Sequence, residues 1–107
     1  MTNGDKFYAF LGLCMRAGKL VTGFEQSIRM IRRGSAVLVI TAKDASEGTK
    51  KRISDKCAFY EVDCIYAGEK DLLGKHIGKG ERTVLTVTDL NFKYKLMKLA
   101  GSMDNKE

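Results

Sequence analysis

The sequence predicts an α/β sandwich, in which a sheet is covered by helices on both faces. Segments whose apolar residues have helical spacing alternate with short apolar runs, which is the order expected for this fold class. One of these runs, residues 36–40, is apolar at every position and suits a central strand buried on both faces. At 107 residues the chain is long enough for one domain with its own core.

The apolar pattern places the predicted elements in order. A first helix carries Phe7, Phe10, Leu11 and Cys14 on one side and stops at Gly18. Further strands are predicted at residues 19–21, 64–66 and 83–87. Further helices are predicted from residue 22 to Gly34, from a cap at Asp44 or Ser46 to Tyr60, from 70 to 75 with an interruption at Gly74, and from a cap at Asp89 to Leu99. We therefore expect one domain over residues 1–101 and a polar tail over residues 102–107.

The charge of the chain predicts an anionic partner. The formal net charge is +6 and the pI is near 9.3, so RNA, DNA and anionic membranes are candidates, although such a charge also serves solubility alone. No apolar run approaches the roughly 20 residues of a spanning helix, and residues 1–5 do not begin a signal peptide, so we expect no membrane association.

The cysteines predict a cytoplasmic protein without a metal site. Cys14, Cys57 and Cys64 are odd in number and widely spaced, as expected for buried thiols in a reducing compartment. The chain has one histidine and no Cys-x-x-Cys sequence, which argues against structural zinc. His76 has no evident nucleophile partner, and no carboxylates stand at catalytic spacing, so we expect no enzymatic activity and no cofactor.

A glycine-rich segment at residues 74–80, GKHIGKG, invites comparison with a nucleotide-binding loop. It lacks one spacer residue of G-x-x-x-x-G-K-[ST], has Gly80 in place of the hydroxyl residue, and follows a helix instead of a strand. The segment suits nucleic acid better, because glycines allow close backbone approach, Lys75 and Lys79 add charge, and Ile77 offers an apolar surface to a flipped base. An ordinary connection with solvated lysines explains the composition equally well.

The second helix carries a basic stretch. Gln26, Arg29 and Arg33 are spaced to share a face away from the stripe of Phe24, Ile28 and Ile31. Glutamine and arginine can read bases through two hydrogen bonds, and the first amides of the helix suit an anion. A solvated helix face is the alternative interpretation.

Glu25 has three competing interpretations. Residues 22–25, Thr-Gly-Phe-Glu, fit a capping box in which Glu25 bonds back to the N-cap amide. Glu25 also stands four residues before Arg29, at a spacing that allows an ion pair. These two structural roles are favoured over a contact between Glu25 and RNA.

Two segments together resemble the L7Ae/L30e ribosomal protein family. Residues 18–34, GKLVTGFEQSIRMIRRG, followed by the strand at 36–40 and Ala42-Lys43-Asp44, resemble its first RNA-binding segment. Residues 73–79, LGKHIGK, resemble its second. The resemblance runs from about residue 7 to residue 99 and is greatest to the small bacterial members of the family.

The resemblance implies an α/β/α sandwich with a mixed four-stranded sheet, and it implies binding to kink-turn RNA, a sharply bent helix with sheared G·A pairs. The RNA-binding positions that it implies are Gly23, Phe24, Glu25, Gln26, Arg29, Leu73, Gly74, Lys75, His76, Ile77 and Gly78. The predicted RNA-binding residues also include Arg33 from the shared face of the second helix, Lys79 from the glycine-rich segment, and Lys43, which follows the strand at 36–40. Family members commonly have asparagine or lysine at the position of Glu25, lysine at Arg29, and a small residue at His76.

The function expected from these observations is non-enzymatic binding of structured RNA by a cytoplasmic, ribosome-associated monomer. Two alternatives remain open. The same fold also serves as a protein-interaction module without strong RNA affinity, and similar domains precede the catalytic domains of RNA methyltransferases, so the chain could be the substrate-binding partner of such an enzyme.

Overall fold

The computed structural model describes residues 1–104, in which helices and strands alternate along the chain. The elements are α1 (Asn3–Arg16), β1 (Leu20–Thr22), α2 (Phe24–Arg32), β2 (Leu38–Thr41), α3 (Glu47–Tyr60), β3 (Asp63–Tyr66), α4 (Lys70–His76), β4 (Val84–Val87) and α5 (Leu90–Asp104). None of the described helices has the length and apolar character needed to span a bilayer.

The four strands form one mixed sheet in the order β1-β4-β2-β3. Strand β4 is antiparallel to both of its neighbours, β1 and β2, whereas β2 and β3 are parallel. The two central strands, β2 and β4, are buried at every position. This confirms the predicted mixed sheet and the interpretation of the continuous apolar run as a central strand.

Helices cover both faces of the sheet. Side chains alternate along its strands, so each strand contributes residues to the core on either face. Ile40 and Leu85 face a core shared with α1 residues such as Phe7 and Leu11, and α4 and α5 contribute to the same core. The intervening residues, Val39 and Val84, face the second core, built with Ile28 and Ile31 of α2 and with Ile53 and Cys57 of α3. The predicted α/β/α sandwich is confirmed.

Local signals explain most helix boundaries. The Ser46 hydroxyl accepts a hydrogen bond from the Thr49 amide, 3.1 Å away, and so caps α3. An Asp89 carboxylate oxygen accepts from the amides of Asn91 and Phe92 at the start of α5. Gly34 follows α2 with a φ of +78°, in the left-handed region that favours glycine.

Three predicted boundaries are corrected. The run at 36–40 forms a strand only over Leu38–Thr41, and α4 continues through Gly74 to His76. Helix α5 continues past Gly101 to Asp104 because Met103 packs against the core and the Asn3 side-chain amide donates to the Ser102 carbonyl, 3.2 Å away. The predicted tail is therefore helical over residues 102–104, and residues 105–107 lie outside the described part of the chain.

The three cysteines are in different environments. Cys14 and Cys57 are buried as predicted, and Cys64 is half-buried. Burial raises the pKa of Cys14 to about 11. Interaction between the neighbouring Cys57 and Cys64 thiols lowers the pKa of Cys64 to about 7 and raises that of Cys57.

Candidate nucleic-acid interface

The two sequence segments predicted to bind RNA meet at one edge of the sheet. The strand register pairs Thr22, the last residue of β1, with Leu85, and pairs Thr41, the last residue of β2, with Val84. Because β4 runs antiparallel to both strands, the segment entering β4 lies beside the turns that leave β1 and β2. Position 23, position 43 and the segment ending at residue 83 are therefore neighbours.

Hydrogen bonds join these segments directly. The Gly23 amide donates to the Val84 carbonyl at 2.9 Å, and the Ala42 amide donates to the Thr83 carbonyl at 2.8 Å. Between side chains, Arg82 Nε donates to the Thr22 hydroxyl at 3.2 Å. Arg82 also donates through Nη1 to the carbonyls of Gly80 and Glu81, so one guanidinium orders the loop and fixes it to β1.

The turn before α2 lacks the predicted capping box. Gly23 is the N-cap residue, with φ +101° and ψ 156°, and no side chain caps the helix. Thr22 belongs to β1, and its hydroxyl accepts from Arg82 instead. The capping-box interpretation of Glu25 is therefore wrong, and the first amides of α2 have no side-chain partner, which leaves them able to bind an anion or a base edge.

The exposed face of α2 carries the predicted polar residues. Glu25, Gln26, Arg29 and Arg33 are exposed, whereas Ile28 is buried beneath them. Arg29 Nη1 donates to the Gln26 side-chain carbonyl at 3.1 Å. The Glu25 carboxylate makes no hydrogen bond or ion pair within residues 1–104, so the pair with Arg29 that its spacing allowed is not formed. Gln26 and Arg29 therefore present their polar groups together.

Phe24 lies under a cation from α3. The Arg52 guanidinium stands 4.3 Å from the centre of the Phe24 ring, in the geometry of a cation–π contact. Phe24 is half-buried and packs against the core between α2 and α3. Phe24 thus anchors the first turn of α2, and Arg52 is a neighbour that the sequence pattern did not identify.

The second predicted segment divides into buried and exposed positions. Leu73, Gly74 and Ile77 are buried, whereas Lys75, His76, Gly78 and Lys79 are exposed. The prediction that Ile77 offers an apolar surface to a base is wrong, because its side chain is 7% exposed and belongs to the core. Leu73 likewise has its side chain fully inside the core. The exposed positions are those that remain able to meet RNA.

Gly74 is required by close packing and not by a turn. Residues 74–76 form the last turn of α4, so the glycine-rich loop begins only at residue 77. A Cβ atom on residue 74 would overlap the Gly80 carbonyl group. The loop therefore folds back against the end of α4 and holds Lys79 close to that helix. The Lys79 amide donates to the Gly74 carbonyl at 2.8 Å.

His76 is held against α1. Its ring stacks on Tyr8 with the ring centres 4.8 Å apart, and its Nδ1 lies 2.9 Å from the Leu72 carbonyl oxygen. Tyr8 is buried, which raises the pKa of its hydroxyl, and that oxygen accepts from the Glu69 amide at 3.1 Å. One face of the imidazole is thus covered, and only the other face can meet a ligand.

Lys43 lies at the same edge of the sheet. It is exposed two residues after the end of β2, and its amide donates to the Gly68 carbonyl at 2.8 Å. Asp44, one of the two predicted caps of α3, instead accepts from the Lys70 amide at 2.9 Å and so caps α4. The Lys70 carbonyl in turn accepts from the Arg82 amide at 3.0 Å. The chain of contacts from Thr22 through Arg82 and Lys70 to Asp44 makes this edge one connected surface.

We refer to this surface as the binding edge. It is defined by the exposed or half-buried positions Gly23, Phe24, Glu25, Gln26, Arg29, Lys43, Lys75, His76, Gly78, Lys79 and Arg82. Arg82 was missed by sequence reasoning, since nothing in its spacing relates it to Thr22. Arg33 lies farther along α2, at its C-cap.

Comparison with known proteins identifies the family of the chain. Residues 5–97 match the model of the ribosomal protein L7Ae/L30e/S12e/Gadd45 family. The chain belongs to this family. Within it, the chain is of the YlxQ type: it is 40% identical to the RNA-binding protein YlxQ of Bacillus subtilis over 97 residues, which cover 91% of this chain and 97% of that protein.

Other members of the family are also similar. The RNA-binding protein YlxQ of Enterococcus faecium is 42% identical over 91% of this chain and 93% of that protein. The large ribosomal subunit protein eL30 of Spodoptera frugiperda is 35% identical over 74% of this chain and 72% of that protein. The names of these relatives describe RNA-binding and ribosomal proteins and no enzyme.

Solved structures share the L7Ae-type fold. A protein of unknown function from Bacillus halodurans superposes with a TM-score of 0.86 at 41% identity, over 90% of this chain and 97% of that one. The Giardia lamblia 15.5kD RNA binding protein superposes with a TM-score of 0.72 at 18% identity, over 91% and 83%. At that identity, the second likeness concerns the fold alone.

Proposed function

We propose that the chain binds structured RNA of the kink-turn type through the binding edge. The observation that carries this proposal is the contact between Arg82 and Thr22, which joins two segments that resemble RNA-binding segments of the family into one surface. The names of the YlxQ and eL30 relatives support RNA as the ligand. The net charge of +6 supports an anionic partner.

The residues of the edge suit different parts of such an RNA. The uncapped amides after Gly23, with the side chains of Gln26 and Arg29, can donate to guanine edges at the sheared G·A pairs. Lys43, Lys75 and Lys79 can neutralise phosphates of the two strands that flank the bend. Gly78 allows the backbone to approach an extruded nucleotide. Both sides of the bend are then held by a surface whose shape is fixed before the RNA arrives.

We also propose that the protein is a cytoplasmic, ribosome-associated monomer without catalytic activity, and that residues 1–101 act as a single binding domain. The ribosomal relatives support the association with the ribosome, and the non-enzymatic names within the family support the absence of catalytic activity. Arg33, predicted from its helix face, acts here through a peripheral charge, and Leu73, which the resemblance implies, acts through packing.

The experiment that tests the proposal maps the bound surface. A kink-turn RNA is titrated into the ¹⁵N-labelled protein at two salt concentrations, and amide shifts are followed. We expect the largest shifts at Gly23 to Arg29 and at Lys75 to Lys79, with affinity falling by about 0.7 to 0.9 log units per log unit of salt for each phosphate neutralised. Shifts confined to another face, or affinity independent of salt, would reject the binding edge.

A further inference from the structure

A second basic surface lies between α2 and α3, beyond the binding edge. Two adjoining depressions of about 330 and 100 Å³ share Glu25, Ile28 and Arg32. The smaller one reaches α3, and we call it the α2–α3 groove; its lining consists of Phe24, Glu25, Ile28, Arg32, Arg52 and Lys56. Phe24 and Glu25 belong to the binding edge as well, so the groove continues that surface.

The cations of the groove are not neutralised by the protein. Arg32, Arg52 and Lys56 form no ion pair with any carboxylate side chain of residues 1–103. Neighbouring lysines on α3 differ in this respect, since Lys50 pairs with Glu47 at 3.7 Å and Lys51 pairs with Asp55 at 3.2 Å. Glu25, at the rim, is the one acid in the groove lining. The groove therefore carries net positive charge that an external anion can neutralise.

The floor of the groove distinguishes between kinds of nucleic acid. The half-buried Phe24 ring gives it an apolar base, and the Arg52 guanidinium lies over that ring. Unpaired bases stack on aromatic rings and guanidinium planes, whereas a duplex buries its base faces and offers phosphates alone. A surface that alternates apolar and cationic groups thus suits a single strand.

We propose that the α2–α3 groove binds a single-stranded RNA segment that leaves the kink turn held at the binding edge. Arg32 and Lys56 neutralise its phosphates, and Arg52 stacks on a base. The inference rests on the proposed function in placing the rest of the RNA. The groove itself depends on three side chains that the proposed kink-turn binding does not use: Arg32, Arg52 and Lys56.

The test compares three RNAs that share one kink turn: blunt, with a six-nucleotide uridine overhang, and with a six-pair duplex extension. Three proteins are compared: the parent, the groove variant Arg32→Gln/Lys56→Gln, and the control variant Lys95→Gln/Lys98→Gln. The control removes the same charge from α5, on the opposite face of the sheet. Thermal unfolding checks that both variants are folded. The uridine strand alone is titrated in parallel.

For the parent and the control, we expect the single-stranded overhang to add affinity and to steepen the salt slope by about 1.4, the contribution of two phosphates of a single strand. The gain should then shrink about sevenfold when salt rises fourfold, as that slope requires. The groove variant should bind the blunt RNA as the parent does and lose the gain from the overhang. In the parent and the control, the duplex extension should add less affinity than the single-stranded overhang.

Three results would overturn the inference: no gain from the overhang in the parent, a gain that survives in the groove variant, or an equal gain from the duplex extension. If the parent fails to bind the blunt RNA, the kink-turn proposal is wrong and the uridine strand alone decides the groove. Binding of that strand by the parent and the control but not by the groove variant supports the groove, and equal or absent binding rejects it.

Discussion

The Nε atom of Arg82 donates a hydrogen bond to the Thr22 hydroxyl across 3.2 Å, although the two residues are 60 positions apart. The contact fixes the loop before β4 against the turn before α2. It explains why Thr22 does not cap α2 and why the two segments predicted to bind RNA form one surface. The relative position of these segments is what a bent RNA would recognise.

Removal of the Thr22 hydroxyl, which accepts this hydrogen bond, should lower RNA affinity even though the charge of Arg82 is retained. Thr22→Val should weaken binding of a kink-turn RNA, because the loop loses its attachment to β1. Arg82→Ala should weaken it further and should lower the free energy of unfolding by about 1 kcal/mol, the usual net worth of a hydrogen bond. RNA titrations of both variants, with Lys98→Ala as control, measure the effect. If Thr22→Val binds like the parent, Arg82 contributes charge alone.

Arg29→Ala should weaken RNA binding without unfolding the protein. Arg29 is exposed and its described side-chain partner is Gln26, so the free energy of unfolding should change by no more than about 0.5 kcal/mol. A guanine contact with two hydrogen bonds is worth about 1–3 kcal/mol of discrimination against another base. Titrations against RNAs with and without the G·A guanines measure that discrimination. Equal discrimination by mutant and parent would place Arg29 on a solvated face.

Glu25→Asn should raise RNA affinity, and Glu25→Lys should raise it further with less sequence selectivity. The carboxylate has no partner within residues 1–104 and stands in a positive surface, so its removal relieves repulsion of phosphate. The stability cost should be about 0.3–1 kcal/mol, from the lost interaction with the N-terminus of α2. Paired thermal unfolding and RNA titration give both quantities. Unchanged or weaker binding by both folded variants would show that RNA does not approach Glu25.

Glu61→Gly should stabilise the protein. Glu61 ends α3 in the left-handed conformation, at φ 58° and ψ 47°, which costs a non-glycine residue about 1–2 kcal/mol. Part of that gain is lost to the greater freedom of glycine in the unfolded chain, so we expect about 0.5–1 kcal/mol in urea unfolding. Glu69→Gly is the control, because Glu69 has an ordinary φ of −118°. Equal effects of the two substitutions would contradict this account.

Cys64 should be the first cysteine to react with a thiol reagent as pH rises. Interaction with Cys57 lowers the pKa of Cys64 to about 7, so its reactive thiolate form appears at lower pH than that of the other cysteines. Burial raises the pKa of Cys14 to about 11, so Cys14 stays protonated until far higher pH. Mass spectrometry of iodoacetamide-labelled peptides from pH 5 to 9 measures the order. Labelling of Cys14 before Cys64 in the folded protein would contradict it.

Much of the fold could be predicted because its signals are local. Ser46 and Asp89 cap the helices they precede, Gly34 takes the left-handed conformation that ends α2, and the run around Leu38 is buried on both faces. Each of these depends on a few neighbouring residues. The end of α5 was misplaced because a distant contact, from Asn3 to Ser102, holds residues whose composition resembles a tail.

The details of the candidate site depend on contacts between distant residues. The Thr22–Glu25 spacing matches a capping box, yet the strand pairing of Thr22 and its bond to Arg82 override that local preference. Ile77 lies in a polar, glycine-rich segment, and only the packing of α4 against the core shows that it is buried. The sequence therefore indicates which segments could bind RNA, but not which of their side chains face it.

The central claim is that the binding edge recognises a bent RNA and not merely negative charge. The most direct measurement compares the parent protein's affinity for a kink-turn RNA with its affinity for an RNA of equal length and charge whose G·A pairs are replaced by Watson–Crick pairs. At one physiological salt concentration, we expect the kink turn to bind more tightly by about fivefold or more, since one lost guanine contact costs about 1–3 kcal/mol and 1.4 kcal/mol is about tenfold. Equal affinities for the two RNAs would contradict the account.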